Sequence, residues 1–386
     1  MNRPHREAFM ISSILRFTTI SVVGLAAGVH TLSAQEPPEW RLAPAEFEVG
    51  GIEAGPDEEF ANLGGVTLLD GGTVLVGDRV EPFLRVFGPD GELLRTLGRR
   101  GQGPGEYEYV YRIDSCSPGE ISVYDVDSRV HRYGPNMTLI STELISFEAL
   151  GGRTSYNEDC NPNGFEIVTG WGDYDTQFQE GLFEARAPVL LLRDGDVVYD
   201  FGERLSSHRV GSVRNGAPTG SAPHPFGRAT VVALGSDRIY IGDAETYEIE
   251  VYDLAGQALP PVRWTGPPLD YDRGFVDELA EQAVSAAREQ SRPALRRWYR
   301  DLEELEGLPA YDRILVSDQD ELWVRQFVRP SSVGEEWVVF GPDQALIGRL
   351  RLPSRSTLWE VRGDRVVYAV VDEFDVPTVR VSRLVR

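Results

Sequence analysis

The sequence predicts an all-β propeller of six four-stranded blades, and three observations support this fold class. First, in four segments two stretches of alternating apolar and polar residues flank a turn. The segments are VFGPDGELLRTLG, RYGPNMTLISTEL, VYDLAGQALPPV and VFGPDQALIGRL, starting at Val86, Arg132, Val251 and Val339. Such alternation indicates paired strands. Second, a strand-like element precedes each turn, and the copies ending at Asp78 and Asp125 are 47 residues apart, enough for four short strands. Third, the last copy is one strand short.

The blades follow from these repeats in chain order. Five copies are predicted near residues 64–98, 110–146, 154–202, 228–264 and 311–352, and the third is a weaker match. The sixth has three predicted strands, near 357–361, 365–370 and 376–382. Because a closed ring leaves no unpaired edge, we expect residues 45–51 to pair beside the last strands, near 379–384. Counts of five or seven blades stay open, since the third and sixth copies match least well.

The segment GRRGQGPGEY, residues 98–107, joins the first predicted blade to the second. Its glycines permit a sharp return of the chain toward the propeller axis, since glycine adopts backbone conformations closed to other residues. A phosphate-binding P-loop would need Gly-Lys-Ser/Thr and a following helix, whereas a strand is predicted for residues 107–113. An anion held by these backbone amides is the alternative.

An inserted helical pair is predicted for residues 270–306, where the strand pattern breaks. Two apolar stripes have helical spacing, and Pro293 separates them. The first stripe contains Val276, Leu279, Ala280, Ala283, Val284 and Ala287, and the second contains Leu295, Trp298, Tyr299, Leu302 and Leu305. We expect both stripes to pack on the propeller; a partner-binding surface is the alternative.

The stretch VFGPDGELLRTLGRRGQGPGEY resembles the repeat of bacterial six-bladed β-propeller proteins similar to NHL-repeat propellers. The resemblance is close over residues 60–110 and looser over 43–386, and the third blade departs from it. LPAYDRILVSDQDELWVR, from Leu308, resembles the later blades of the same family. The resemblance implies a six-bladed fold and export, but no particular activity.

Residues 1–34 are predicted to be a signal peptide, and residues 35–386 a single propeller domain. Arg3, Arg6 and Arg16 precede or border an uncharged run over residues 17–29, and small residues follow up to Ala34. This order is typical of an export signal cleaved near Ala34. The apolar run is short for a membrane span. We therefore expect an exported protein, periplasmic or extracellular, with no membrane span.

The composition excludes several classes of function. The formal net charge is −23, and loss of residues 1–34 would leave about −25, which opposes binding to nucleic acid. All 38 basic residues are arginine, which excludes Schiff-base and P-loop lysines. Without a nucleophile–base pair, the sequence favours a binding or scaffold module for a small ligand or a protein partner. The alternative is a metal-dependent propeller enzyme of lactonase-like or lyase-like type, so catalysis stays open.

No cofactor is predicted, although one segment resembles half of a calcium loop. Asp159, Asn161 and Asn163 have the spacing of the first EF-hand ligands, but Gly170 replaces the final glutamate. A polar turn is the favoured interpretation, and Ca²⁺ is the alternative. Acidic residues at strand ends could also line a metal site or cap turns. These residues are Asp78, Asp114, Asp125, Asp243 and Asp318.

The two cysteines, Cys116 and Cys160, occupy equivalent places in neighbouring predicted blades. DSCSPGE and EDCNPNGFE each end an innermost strand. Export permits disulfides, and facing inner strands would bring the thiols together. We predict a Cys116–Cys160 disulfide; two buried free thiols are the alternative.

Three long insertions, residues 172–185, 203–227 and 266–310, are predicted to lie as loops on one face. Loops on a rigid scaffold often hold binding residues. The stretch 204–228 is locally basic in a very acidic protein, which predicts a site for an anionic small molecule or an acidic partner. We expect its arginines to converge, exposed, near the channel mouth with Phe226 beside them. The predicted ligand-binding residues are Arg204, His208, Arg209, Arg214, His224 and Arg228. The alternative is a connector whose arginines pair with the propeller's own carboxylates.

Overall fold

Antiparallel sheets make up most of the protein, whose structure is a computed structural model. It describes residues 37–386 apart from 56–57, 118, 126–128, 145–154, 171–176, 215–216, 330–331 and 333. In this part of the chain the strands form five hydrogen-bonded sheets, three of four strands, one of five and one of eight. Consecutive strands pair within each four-stranded sheet. The predicted all-β propeller class is confirmed.

The first strand, β1 (Glu39–Gly50), belongs to the eight-stranded sheet. The first unit contains β2 (Leu63–Leu68), β3 (Val74–Asp78), β4 (Leu84–Phe87) and β5 (Leu93–Leu97). The second contains β6 (Val110–Ser117), β7 (Glu120–Asp125), β8 (Arg129–Tyr133) and β9 (Leu139–Leu144). The third contains β10 (Ser155–Cys160), β11 (Phe165–Gly170), β12 (Gly181–Arg193), β13 (Asp196–Arg214) and β14 (Ala217–Pro223). The fourth contains β15 (Val231–Leu234), β16 (Arg238–Gly242), β17 (Glu248–Asp253) and β18 (Ala258–Arg263).

The eight-stranded sheet joins the last two units through β1. Its strands are β19 (Tyr311–Val316), β20 (Leu322–Gln326), β21 (Glu335–Phe340), β22 (Leu346–Leu352), β23 (Ser356–Arg362), β24 (Arg365–Val371) and β25 (Pro377–Val385). β1 pairs in parallel with β22 only at Glu39 and Trp40, but antiparallel with β25 from Arg41 to Gly50. The predicted pairing of the N-terminal segment with the last strand is confirmed. Divided at the short parallel contact, this sheet gives two groups of four strands, and the described strands then form six units. The blade count itself stays a prediction.

The central strands of the units are buried on both faces. All five residues of β3, VLVGD, are buried, and Trp323 and Trp337 are fully buried in the fifth unit. A strand covered by neighbouring sheets on both sides needs a continuous apolar run rather than strict alternation. These buried strands form the cores of the units that surround the axis.

The inserted helical pair is confirmed as α1 (Arg273–Ala286) and α2 (Arg292–Arg300). The side chain of Asp272 caps α1 by accepting a hydrogen bond from the amide of Gly274, and Pro293 lies in the first turn of α2. The pair packs its apolar residues around the buried Phe226, which belongs to the segment before the fourth unit. None of the helices in the described residues has the length and apolar character needed to cross a bilayer.

The third unit differs from the predicted loops. Residues 181–185 and 203–214 belong to β12 and β13, which stay paired from Arg193 and Asp196 out to Gly181 and Gly211. β14 then pairs with the end of β13. The extended strands replace two of the three predicted loops, while residues 171–176 lie outside the described part. The extension touches the helical insertion, since the amide of Leu182 donates to the Glu303 carboxylate.

Candidate functional site

A cavity of about 700 Å³ lies where the first strands of the six units face one another. Residues of β2, β6, β10, β15, β19 and β23 line it. Its volume falls within the range of small-molecule binding sites. The cavity is the place where all units contribute side chains, and we therefore take it as the candidate site.

The strands around this cavity share a local irregularity. In β2, β6, β10, β19 and β23 the register with the next strand shifts by one residue. At the first shift in each strand, the residues left without a partner are Gly64, Tyr111, Glu158, Asp312 and Trp359. A bulge bends a strand and re-aims its side chains. Consecutive residues such as Asp312 and Arg313 therefore both line the cavity.

Arg112 connects two strands of the cavity wall. Its guanidinium donates to Asp114 at 2.5 Å and lies 3.4 Å from a carboxylate oxygen of Asp159 on β10. It also donates to the carbonyl oxygen of Glu158. Asp159 accepts further hydrogen bonds from the amides of Leu234 and Cys160. Burial nevertheless raises the pKa of Asp159 to about 6, because Arg112 only partly offsets desolvation and Asp114 adds like charge.

Two further arginines in or behind the wall are held by carboxylates. Arg325 donates to Asp312 at 2.7 Å and to Glu335 at 3.0 Å. Arg362 donates to Glu360 at 2.8 Å. The other carboxylate oxygen of Glu360 accepts from the first unit, namely from the Thr67 hydroxyl and the Leu68 amide. These carboxylates thus join neighbouring strands.

Arg313 differs from these arginines. It lines the cavity, and no carboxylate of the described residues lies within 4.0 Å of its guanidinium. Its nearest ring is the indole of Trp359, whose centroid is 5.8 Å away. Burial, with the nearby charge of Arg325, lowers the pKa of Arg313 to about 10. The side chain is therefore still a cation at neutral pH.

The half-EF-hand segment forms a polar turn. The side-chain oxygen of Asn161 accepts from the amides of Asn163 and Phe165, and its amide group donates to the carbonyl of Gly235. Asn163 donates to the carbonyl of Ser236 in the fourth unit. Asp159 is engaged as described above. The three residues thus fasten one unit to the next, which matches the polar-turn interpretation.

The disulfide joins β6 to β10 beside the cavity. Cys116 and Cys160 are bonded, and their Cα atoms are 5.3 Å apart, inside the limit of about 7 Å. With Asp114 they form the one trio of potential metal-ligand atoms within 4.8 Å found among the described residues. Because disulfide sulfurs carry no thiolate charge, this trio is no metal site while the bond is intact.

Four of the strand-end aspartates accept hydrogen bonds from backbone amides. Asp78 accepts from four backbone amides, those of Ala61, Asn62, Val80 and Glu81. Asp125 accepts from the amides of Glu108 and Tyr109 and pairs with Arg129. Asp243 and Asp318 accept from the amides of Glu245 and Gly363. These carboxylates stabilise turns, as the alternative in the sequence analysis proposed.

In the glycine-rich segment 98–107, the carboxylate of Glu106 occupies the backbone amide and the guanidinium that an external anion would bind. Glu106 accepts from the amide of Gly103 at 2.9 Å and from the Arg99 guanidinium at 2.7 Å. These hydrogen bonds lower the pKa of Glu106, the amide of Gly103 having the largest effect. The segment continues into β6 rather than into a helix. It therefore serves as a connection between units.

The basic stretch in the third unit is arranged differently from the prediction. Arg204 and Arg228 lie 3.1 Å from the carboxylates of Glu250 and Glu245 respectively, in the fourth unit. Arg209 donates to the hydroxyl and the carbonyl of Ser221. The side chain of Arg214 lies outside the described residues. Internal pairing was the alternative in the sequence analysis, and it holds for Arg204 and Arg228.

The predicted histidines of this stretch are also internal. His208 accepts from the amide of Arg228, and His224 contacts the carbonyl of Glu303 and accepts from the amide of Phe226. Burial lowers the pKa of both imidazoles. Phe226, expected to lie beside the arginines, is buried, with 2% of its surface accessible. The stretch thus anchors the helical pair.

The residues at the cavity that the sequence analysis missed are Arg313, Trp359 and Arg112. One signal could have found them. Each is an arginine or a tryptophan inside the first strand of a unit: Arg112 in YRID, Arg313 in YDRIL and Trp359 in LWEVR. An innermost strand with charges in an otherwise apolar stretch indicates a polar channel. The charge alone does not reveal which arginine lacks a carboxylate.

A pH-dependent stability is expected from Asp159. Because folding raises the pKa of Asp159 to about 6, the folded protein binds this proton more tightly than the unfolded chain. The contribution stabilises the fold below about pH 4 and is lost as the pH rises through about 6. The free energy of unfolding in urea should therefore fall for the wild type, relative to Asp159→Asn, by on the order of 2 kcal/mol from about pH 4 to pH 7.

The matched surface control for this experiment is Asp194→Asn, whose side chain is 84% exposed. Parallel stability curves for wild type and Asp159→Asn across this pH range would show that Asp159 titrates normally in the folded protein.

The comparisons with known proteins concern the fold. No family model matches the chain, and no curated protein matches it. Among solved structures, it is similar to a duf4221 family member from Bacteroides vulgatus, at 10% identity over 90% of this chain and 99% of that chain, with a TM-score of 0.48. It is similar to regucalcin, a calcium-binding protein from Agrobacterium tumefaciens, at 10% identity over 90% and 96%, with a TM-score of 0.45. Virginiamycin B lyase from Staphylococcus aureus matches at 11% identity over 90% and 100%, with a TM-score of 0.42.

Proposed function

We propose that this protein is an exported six-bladed propeller that binds a small polar ligand in its central cavity. The observation that carries this proposal is the cavity of about 700 Å³ lined by charged residues of bulged inner strands. Bulges are common beside binding sites, where they re-aim side chains. We expect the closely packed sheets to provide a preformed site, which limits the ordering cost of binding.

The carboxylates of the cavity support binding rather than metal-dependent catalysis. A catalytic divalent ion needs several oxygen or nitrogen ligands directed at one point. In the described residues Asp114, Asp159, Asp312 and Glu360 are each engaged by an arginine or by backbone amides. A lactonase-like or lyase-like enzyme is the alternative, and a protein partner could bind the same propeller as a scaffold.

The proposal is tested by following tryptophan emission of the chain that begins at residue 35 during titration with small neutral sugars, amines and carboxylates. At least one compound should bind saturably at one site and change the emission. Trp359→Phe should remove that change, because Trp359 lines the cavity. Trp298→Phe, in α2, is the matched control and should retain it.

Two results would contradict this proposal. One is the absence of saturable binding by every compound. The other is an emission change that persists in Trp359→Phe, which would place the ligand elsewhere. Metal analysis of the purified protein addresses the alternative, since stoichiometric Ca²⁺ or Zn²⁺ would favour the enzyme.

A further inference from the structure

We infer that the ligand of the central cavity carries a single carboxylate group, and that Arg313 binds it. This inference rests on the proposed function and names the chemical class of the ligand. It depends on the contrast between Arg313 and the other guanidinium groups at the cavity.

The pairing of the arginines establishes this contrast. Arg112 has two carboxylate neighbours, Asp114 and Asp159, and Arg362 has Glu360. Arg325 is directly opposite Arg313 across the β19–β20 ladder and is held by two carboxylates. Within the described residues Arg313 has neither an ion pair nor a hydrogen bond. Five N–H donors of its guanidinium are thus available to a ligand.

At its position in the cavity wall, an Arg313 guanidinium without an ion-pair partner raises the free energy of the folded protein. The strand bulge before it directs both Asp312 and Arg313 to the cavity, and Asp312 is already taken by Arg325. A partly desolvated cation with no carboxylate in direct contact costs free energy, although the nearby charges of Glu335 and Asp312 offset part of that cost. Such a group can be kept in a fold when a bound anion offsets its cost. Binding sites often lower the stability of the unbound protein in this way.

A carboxylate fits this site better than a phosphate. One guanidinium matches one carboxylate through two parallel hydrogen bonds. A phosphate group, with a charge of about −1.5 to −2, would need more cations. The cavity instead contains several carboxylates, among them Glu158, Asp318 and Asp320. These would repel a dianion but accept hydrogen bonds from hydroxyl or amino groups on the ligand.

Trp359 provides the neighbouring surface. Its ring is 5.8 Å from the Arg313 guanidinium, measured from Cζ to the ring centroid. Its indole Nε1–H is buried and has no acceptor among the described residues. An apolar or aromatic part of a monocarboxylate could contact this ring while the carboxylate binds Arg313. Tryptophan emission is for the same reason a suitable reporter of binding.

The test compares matched pairs of probes on the chain that begins at residue 35, at ionic strength fixed with sodium chloride. The probes are acetate against acetamide and benzoate against benzamide, with gluconate and inorganic phosphate added. At least one carboxylate should bind and alter the emission of Trp359, and its amide should bind more weakly. Arg313→Gln should weaken carboxylate binding by about tenfold to a hundredfold, the range for hydrogen bonds to a charged group.

Two variants make the comparison specific. Arg313→Lys keeps the charge but not the planar fork, so it should retain part of the affinity. Arg263→Gln, at the end of β18 with an exposed side chain paired with Glu248, should bind like the wild type. Equal binding of a carboxylate and its amide, equal binding by Arg313→Gln, or tighter binding of phosphate would overturn the inference. So would the failure of every carboxylate to bind, although binding of neutral probes at Trp359 would still support the proposed function.

Thermal melting distinguishes a binding role from a structural one. Arg313→Gln removes an unpaired charge, so its melting temperature should equal or exceed that of the wild type. Arg325→Gln should lower it, because Asp312 and Glu335 would lose their partner. If the two variants were equally destabilised, Arg313 would be a structural residue and the inference would fail.

Discussion

A chain that begins at residue 53, and so lacks β1, is expected not to fold cooperatively. β1 pairs antiparallel with β25 and completes the four-stranded unit of β23 to β25. It also buries Trp40, Phe47 and Val49 in two core clusters. Truncating a single buried Phe or Trp costs about 3–5 kcal/mol. Losing the whole strand therefore costs on the order of 10 kcal/mol, comparable to the total stability of about 5–15 kcal/mol of a typical domain.

The matched control is the chain that begins at residue 35, which lacks the predicted signal peptide but keeps β1. Both chains are compared by far-ultraviolet circular dichroism and thermal melting. A cooperative transition of the shorter chain within a few degrees of the longer one would show that β1 does not close the propeller.

The pairing of β1 could be predicted because the last copy of the repeat lacks its fourth strand. The last copy has three strands, and residues 45–51 alternate like a fourth. An unpaired edge at that place would be unfavourable. The helical pair at 270–306 was predictable for a related reason, since its apolar spacing changes from two to about 3.6 residues. Both predictions depend on periodicity, which the sequence displays directly.

The cavity could not be predicted in the same way, because it depends on register. The bulges at Tyr111, Asp312 and Trp359 decide which side chains face the axis, and a shift of one residue in a strand reverses its faces. The partners of an arginine are also distant in sequence. Glu250 is 46 residues from Arg204 in the next unit, so the basic stretch did not decide between a bound anion and internal pairing.

Replacing both cysteines, Cys116→Ala with Cys160→Ala, should lower the free energy of unfolding by about 4 kcal/mol in the chain-entropy model of disulfides. The bond spans 44 residues and connects the first strands of the second and third units. Without it, the unfolded chain gains freedom that folding must again remove. The same two strands are joined by Arg112, which contacts the Asp159 carboxylate and the carbonyl oxygen of Glu158 on β10, so the cavity wall should retain its order in the folded variant.

Urea unfolding with and without a reducing agent checks this prediction. The reduced wild type should match the double variant, while the variant itself should not respond to the reducing agent. If the oxidised wild type and the double variant had equal unfolding free energies, the bond would contribute nothing to stability. Because the effect acts chiefly on the unfolded chain, the carboxylate affinity of the folded double variant should change little. A large loss of affinity would instead show that the disulfide positions the cavity wall, and that Arg112 alone cannot hold β6 to β10.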